Sequence, residues 1–195
     1  MRWDHLFDDL AGQLEHELQS EESDLQIEEE RLRLGRLAVR DRLAVLKASA
    51  RPGVASIRVR LRTGEVHEVT IVTVGRDWFA GDLDGVPGRH QAIIPIAAID
   101  SLLLTAHQAS ASLEAGVATS ELAARLGVAF LLRDLCRRRA TVTIVTSTSS
   151  VSGTIDRVGR DHLDLAVHDL DTPRRSSAVE QVRVVGFDQL LLVRL

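Results

Sequence analysis

The sequence predicts a mainly β protein of the α+β class, in which a helix followed by five short antiparallel strands occurs twice. Three observations support this. The hydrophobic period changes from 3.6 to 2 near residue 57. The phrase at 74–79 (Val-Gly-Arg-Asp-Trp-Phe) returns 84 residues later at 158–163 (Val-Gly-Arg-Asp-His-Leu). A second helical pattern and a second set of alternating segments surround that second phrase.

Composition limits the class of protein. The chain has 195 residues, 45% hydrophobic and 27% charged, as in an ordinary globular protein. No apolar run approaches the roughly 20 residues that cross a bilayer, and no signal-peptide pattern begins the chain, so we expect a cytoplasmic protein without a membrane partner. The single cysteine, Cys136, excludes an internal disulfide, and we interpret it as a small buried helix residue.

The N-terminal segment, 1–32, is predicted to be an acidic helical arm. Apolar residues recur there at helical spacing, at Trp3, Leu6, Phe7, Leu10 and Leu14, and the first four of them are candidate partner contacts. Residues 23–26 (Ser-Asp-Leu-Gln) have capping-box spacing, so a second helix is expected to start there and to stop near Pro52 and Gly53.

The first strand set is predicted within a domain spanning 33–105. Apolar residues alternate with Arg58, Arg60 and Arg62 in the first strand, which is typical of a half-buried strand. Four further strands are predicted at 66–74, 78–83, 92–94 and 99–104, with a short helical turn at 95–98.

The weakly patterned residues 106–118 are interpreted as a linker, and 119–195 as the second domain. It is predicted to have one helix over 119–137 and strands at 140–146, 151–158, 162–167, 178–182 and 187–193. Ordered matches, including 99–104 with 187–192, favour an internal duplication over chance similarity.

Charge is strongly segregated. Residues 1–30 hold 11 acidic residues and one basic residue, whereas 31–62 hold ten basic residues and one acidic residue. The basic block supplies candidate nucleic-acid contacts, namely Arg36, Arg40, Arg51, Arg58, Arg60 and Arg62. Pairing of the block with the acidic arm is the alternative, and the overall charge of −4 favours it.

A helix followed by five bent strands, with a helical turn between strands 4 and 5, resembles the Sm/LSm-like small β-barrel. The chain is also similar to uncharacterised actinobacterial proteins that begin Met-Arg-Trp, as residues 1–3 do here. The resemblance implies two five-stranded antiparallel barrels, each preceded by a helix, and assembly in which strand 4 of one module pairs with strand 5 of the next. RNA-binding members place an Asp and an Asn in the turn between strands 2 and 3. Here Asp77 and Asp161 match the Asp, while the Asn and the family's second RNA motif are absent.

Other patterns point to weaker alternatives. Residues 119–128 resemble the start of a DNA-binding helix-turn-helix, although the following 129–132 are too apolar for an exposed recognition helix. His162, Asp164 and His168 lie close in sequence but lack standard metal-ligand spacing. No phosphate loop, nucleophile elbow or catalytic carboxylate pair is recognisable, so no enzyme activity, cofactor or small-molecule substrate is expected. The favoured function is a non-catalytic assembly or protein-interaction module that forms a homo-oligomer or binds a protein partner, with RNA or single-stranded nucleic-acid binding as the runner-up.

Overall fold

The structure, a computed structural model, describes residues 16, 19, 22–49, 56–85, 91–114, 121–170, 175 and 179–195. The chain divides into two compact units, Met1–Ala38 and Val39–Leu195.

In the first unit, residues 22–35 form a helix, α1. Its carboxylate and guanidinium side chains pair one turn apart, as Glu30 with Arg33 and Glu28 with Arg31. The hydrogen bond from Arg33 lowers the pKa of Glu30. Leu25, Ile27 and Leu32 are exposed on this helix.

The second unit contains four helices and ten strands among its described residues. The helices are α2 (Val39–Ala48), α3 (Ala106–Ala111), α4 (Glu121–Arg125) and α5 (Val128–Arg137). The first strand set comprises β1 (Ser56–Leu61), β2 (Val66–Val74), β3 (Trp78–Leu83), β4 (Gln91–Pro95) and β5 (Ile99–Leu103). The second comprises β6 (Thr141–Thr146), β7 (Ser150–Val158), β8 (His162–Val167), β9 (Gln181–Gly186) and β10 (Leu190–Arg194). Single 3₁₀ turns at Ile96–Ala98 and Phe187–Gln189 precede β5 and β10.

All ten strands form one open antiparallel sheet in the order β5-β1-β2-β3-β4-β10-β6-β7-β8-β9. The prediction of two closed five-stranded Sm-like barrels is therefore wrong. The physical reason is that β4 pairs with β10, so neither strand set closes on itself. The coarser prediction, mainly β with some helix, agrees with the structure.

The two strand sets nevertheless share their internal pairing. β2 and β3 slip register between Ile71 and Thr73, and β7 and β8 slip between Ile155 and Arg157, 84 residues later. β1 pairs with β5 through Val59 and Leu102, and β6 pairs with β10 through Ile144 and Val193. In both pairs the register shifts at the equivalent position, two residues further along β1 and along β6. These registers define corresponding positions in the two sets.

Two hydrophobic cores lie on opposite faces of the sheet. Phe79 belongs to the first core and its neighbour Trp78 to the second. Successive residues of a strand point to opposite faces, so the two cores cannot share one face. The first core is covered by Leu43 and Leu46 of α2 and the second by Leu132 of α5.

Several predicted elements differ from those observed. The predicted linker contains α3, whose N-terminus has a complete capping box between Thr105 and Gln108. The predicted helix over 119–137 is broken after Arg125, because Gly127 is extended. β9 lies three residues later than predicted, and Phe187–Gln189 is a 3₁₀ turn, so 187–192 corresponds to 96–101 and not to 99–104.

Gly153 provides a test of the close packing of β7 against β8. A Cβ on this residue would lie 2.1 Å from the backbone oxygen of Ala166, so Gly153→Ala must push the two strands apart. We expect a loss of about 2 kcal/mol in the free energy of unfolding, typical of overpacking. Urea denaturation followed by circular dichroism measures it. Gly35→Ala in α1 is the control, since nothing lies within 4 Å of a Cβ at this position and alanine favours a helix. Equal losses of unfolding free energy in both variants would contradict the close packing of β7 against β8 at Gly153.

Candidate interaction surface: the repeated turns and the sheet edges

The two copies of the Val-Gly-Arg-Asp phrase form the same turn. The backbone N–H of Gly75 donates to the oxygen of Trp78, and that of Gly159 to the oxygen of His162, each at 2.8 Å. The oxygen of Asp77 accepts from the N–H of Ile96 at 2.9 Å, and that of Asp161 from the N–H of Phe187 at 2.8 Å. Each turn therefore fixes both its own hairpin and the 3₁₀ turn that leads into the last strand of its set.

The glycine in each phrase lies against the ring of the residue three positions later. A Cβ on Gly75 would lie 2.2 Å from the indole of Trp78, and one on Gly159 would lie 2.5 Å from the imidazole of His162. A side chain at Gly75 would clash with the buried indole of Trp78, whereas one at Gly159 would displace the partly exposed imidazole of His162.

An arginine from a helix binds each turn. Arg40 of α2 donates from Nε to the oxygen of Gly75 at 2.8 Å, and Arg133 of α5 donates from Nη2 to the oxygen of Gly159 at 3.3 Å. Arg40, a predicted nucleic-acid contact, thus helps to hold a helix on the sheet.

The first turn also holds the start of α5. The carboxylate Oδ1 of Asp77 accepts from the backbone N–H of Val128 at 2.7 Å, and the oxygen of Leu126 accepts from the indole N–H of Trp78 at 2.8 Å. The N–H of Arg76 donates to the same oxygen at 3.0 Å. A carboxylate at a helix N-terminus satisfies an otherwise unpaired donor and complements the helix dipole.

The second turn makes a different contact with its carboxylate. Oδ1 of Asp161 accepts a 2.8 Å hydrogen bond from Nδ1 of its neighbour His162, and Asp161 is exposed. This hydrogen bond lowers the pKa of Asp161. A lowered carboxyl pKa favours the folded state above the unfolded-state pKa, and this contribution disappears as the pH falls through the folded-state pKa.

β4 and β10 form the contact between the two strand sets. Ile93 pairs with Val193 and Ala92 with Arg194, and the N–H of Leu195 donates to the oxygen of Gln91 at 2.9 Å. Both faces of β10 are buried, because Val193 packs in the second core while Leu192 packs in the first. Arg62 adds a bond across the two sets, from Nη2 to the oxygen of Asp188 at 2.7 Å.

Among the described strands, the sheet ends at β9 and β5, and these two edges differ in chemistry. Val182 and Val184 of β9 are 58% and 69% exposed, whereas Ile93, which corresponds to Val184, is 3% exposed beside β10. On β5, Asp100 is exposed and Ser101 partly buried. The valine pair was not predicted as a surface feature, because the predicted strand ends at residue 182. The alternation of Val182, Val184 and Gly186 is the sequence signal for a strand that continues beyond it.

The remaining predicted contacts have mixed outcomes. Arg58 and Arg60 are exposed on β1, and Arg62 is exposed just after it, so the sheet does bring these three together. Glu68 lies opposite Arg58 on β2 and accepts from the hydroxyl of Ser56. Arg36 is exposed on the first unit. The partner-contact residues Trp3, Leu6, Phe7 and Leu10 and the basic residue Arg51 lie outside the described residues.

The structure also shows where the residues of the predicted helix-turn-helix and of the possible metal site lie. The N-terminal turn of α5, which would read bases in such a motif, is in contact with Asp77 and Trp78. His168 is buried; its Nδ1–H donates to the oxygen of Asp169, and its Nε2 forms a hydrogen bond with the hydroxyl of Thr154, both at 2.8 Å. Among the residues that the structure describes, no cluster of three histidine, cysteine or acidic side chains could hold a metal ion.

Comparisons with known proteins found nothing that resembles this chain: no family model matches it, and no curated protein or solved structure does so. The predicted resemblance to the Sm-like family therefore stays a prediction. Within the described part of the chain, no helix is both long enough and apolar enough to span a membrane.

The repeated turns allow a matched test of the Asp77 contact. Asp77→Ala removes the acceptor for the N–H of Val128, so we expect a loss of about 1 kcal/mol in the free energy of unfolding. The corresponding Asp161→Ala removes an exposed carboxylate, so its loss should be clearly smaller than that of Asp77→Ala. Urea denaturation of both variants at neutral pH gives the comparison, and equal losses would show that the contact with α5 contributes nothing.

Proposed function

We propose that the protein is a non-catalytic assembly module whose sheet edges pair with strands of another chain. The observation that carries this proposal is the contrast between corresponding positions. Ile93 is buried where β4 pairs with β10, while Val184 is exposed where β9 ends the sheet. The same backbone geometry thus occurs once with a strand partner and once, among the described residues, at an edge.

An edge strand presents unpaired backbone donors and acceptors that readily accept another strand. Exposed valines on such a strand add apolar area that is removed from water when a partner binds. Strand addition is a common recognition mode, in which the main chain supplies affinity and alternate side chains supply specificity.

The polar groups that most resemble a functional site support internal structure instead. Asp77 binds the start of α5, Arg40 and Arg133 bind the two turns, and His168 bonds to Thr154 and a backbone oxygen. These contacts stabilise the two repeated turns, the start of α5 and the β7–β8 hairpin.

Nucleic-acid binding by the Arg58–Arg62 stripe is the runner-up. Three guanidiniums spaced two residues apart could contact phosphates. Two features argue against nucleic-acid binding at this stripe: Arg62 already donates to the oxygen of Asp188, and Glu68 lies across from Arg58. Binding of nucleic acid is therefore the competing outcome in the experiment that tests assembly.

Self-association of the full chain tests the proposal. Light scattering coupled to size exclusion should show a mass that rises above that of one chain as concentration increases, because strand pairing follows mass action. The association should persist at high salt, since apolar contact and backbone hydrogen bonds are little screened.

The same samples titrated with a labelled polyuridylate provide the second arm. A single-chain mass at every concentration, together with polyuridylate binding that weakens steeply with salt, would replace the proposal with the nucleic-acid function. A single-chain mass without polyuridylate binding would contradict both.

A further inference from the structure

The two edges of the sheet are unequal, and their difference indicates which edge pairs and with what. At the internal β4–β10 contact, three second-set residues are buried in the first core: Val145, Leu191 and Leu192. The register places Arg60, Asp100 and Ser101 at the corresponding positions of the first set. The edge at β5 therefore carries charged and polar groups where the internal contact has only apolar ones.

The charged and polar residues at these positions of the β5 edge disfavour a head-to-tail contact between copies. If β9 of one chain paired with β5 of the next as β4 pairs with β10, the guanidinium of Arg60 and the carboxylate of Asp100 would enter the place of two buried apolar side chains. Burying a charged pair costs several kcal/mol in desolvation unless its hydrogen bonds are well satisfied. Both side chains are exposed in the structure and so keep their hydration.

The edge at β9 has the opposite character. Val182 takes the place of Gln91 and Val184 that of Ile93, so the outer face of β9 is at least as apolar as that of β4. This face lies opposite the second core, because the neighbouring Val185 belongs to that core. Nothing charged shares it on β9, since Arg183 points to the other face and donates to the hydroxyl of Ser149.

We propose that β9 pairs antiparallel with β9 of a second copy of this chain, related by a twofold axis perpendicular to the sheet. Such an axis keeps the same face outward in both copies, so an axis through Val184 brings the two Val184 side chains together and places each Val182 opposite Gly186 of the other chain. An axis through Val184 places Arg183 opposite Val185 of the second copy, which keeps the two guanidiniums apart. The result is a closed dimer with a continuous sheet across the contact, and it rests on the proposed function.

The closed geometry predicts a dimer as the largest species. Mass measurements should rise from one chain to two with concentration and go no further. Val184→Arg should weaken association at least about tenfold, because a charged side chain on an edge strand opposes pairing. Val72→Arg is the matched control, since Val72 is also a strand valine, 52% exposed, on the internal strand β2; it should leave the dimer intact.

Two further variants separate this dimer from a head-to-tail assembly. Ser101→Lys blocks the β5 edge and should leave the twofold dimer unchanged. Val184→Cys in a Cys136→Ala background should form a covalent dimer on oxidation, because Cα atoms directly opposite in an antiparallel pair lie about 4.5–5.5 Å apart, within disulfide range.

Species larger than a dimer that Ser101→Lys abolishes would overturn this inference and leave the proposed function standing. Equal association of the Val184→Arg and Val72→Arg variants would also overturn the twofold dimer and leave the proposed function standing. A single-chain mass for the unmodified protein at every concentration would instead remove both proposals.

Discussion

The pairing of β4 with β10 is the interaction on which the rest of the second unit depends. It joins two five-strand sets into one sheet, and it does so with only two direct residue pairs and the bond from Leu195 to Gln91. Its stability comes from what lies above and below it. Ile93 and Trp78 of the first set pack in the second core, while Val145 and Leu192 of the second set pack in the first core. Each core is therefore completed by residues of the other set, and neither set would bury its apolar surface alone.

The repeated turn shows how one phrase can serve two purposes. The glycine and the arginine contact from a helix are common to both copies, so they maintain the hairpin. The residue after the aspartate differs. Trp78 reaches the oxygen of Leu126 with its indole N–H, while His162 bonds to the adjacent Asp161. The Asp77 turn belongs to the contact between the two strand sets, and the Asp161 turn lies towards the free end of the sheet, where β8 meets β9.

Much of the local structure could be predicted from the sequence, because it depends on local signals. Alternation of apolar residues placed β2, β3 and β8 at the observed residues, and the repeated phrase placed the two equivalent turns. The prediction of closed barrels was wrong because closure of a barrel depends on which strand edges pair, and no local sequence pattern encodes that choice. The position of β9 was predicted wrongly because the strand was expected to end at residue 182, although Val182 and Val184 alternate with the polar residues Gln181 and Arg183.

The candidate surface was harder to foresee than the fold. The arginine stripe was visible as an alternating pattern, and the sheet does expose it. The valine pair matters only because β9 ends the sheet, and that is a property of the topology. Likewise, Asp77 was recognisable as a turn residue, but its bond to Val128 joins residues 51 positions apart.

Peptide-resolved hydrogen exchange tests the central claim, that the β4–β10 pairing unites the two strand sets into one cooperative structure. Amides within 91–95 and 190–195 should exchange as slowly as those of β3 and β8, because the contact opens only when the cores open. Fast exchange in these two segments, with slow exchange in β3 and β8, would show that the strand sets are held independently and would contradict the account.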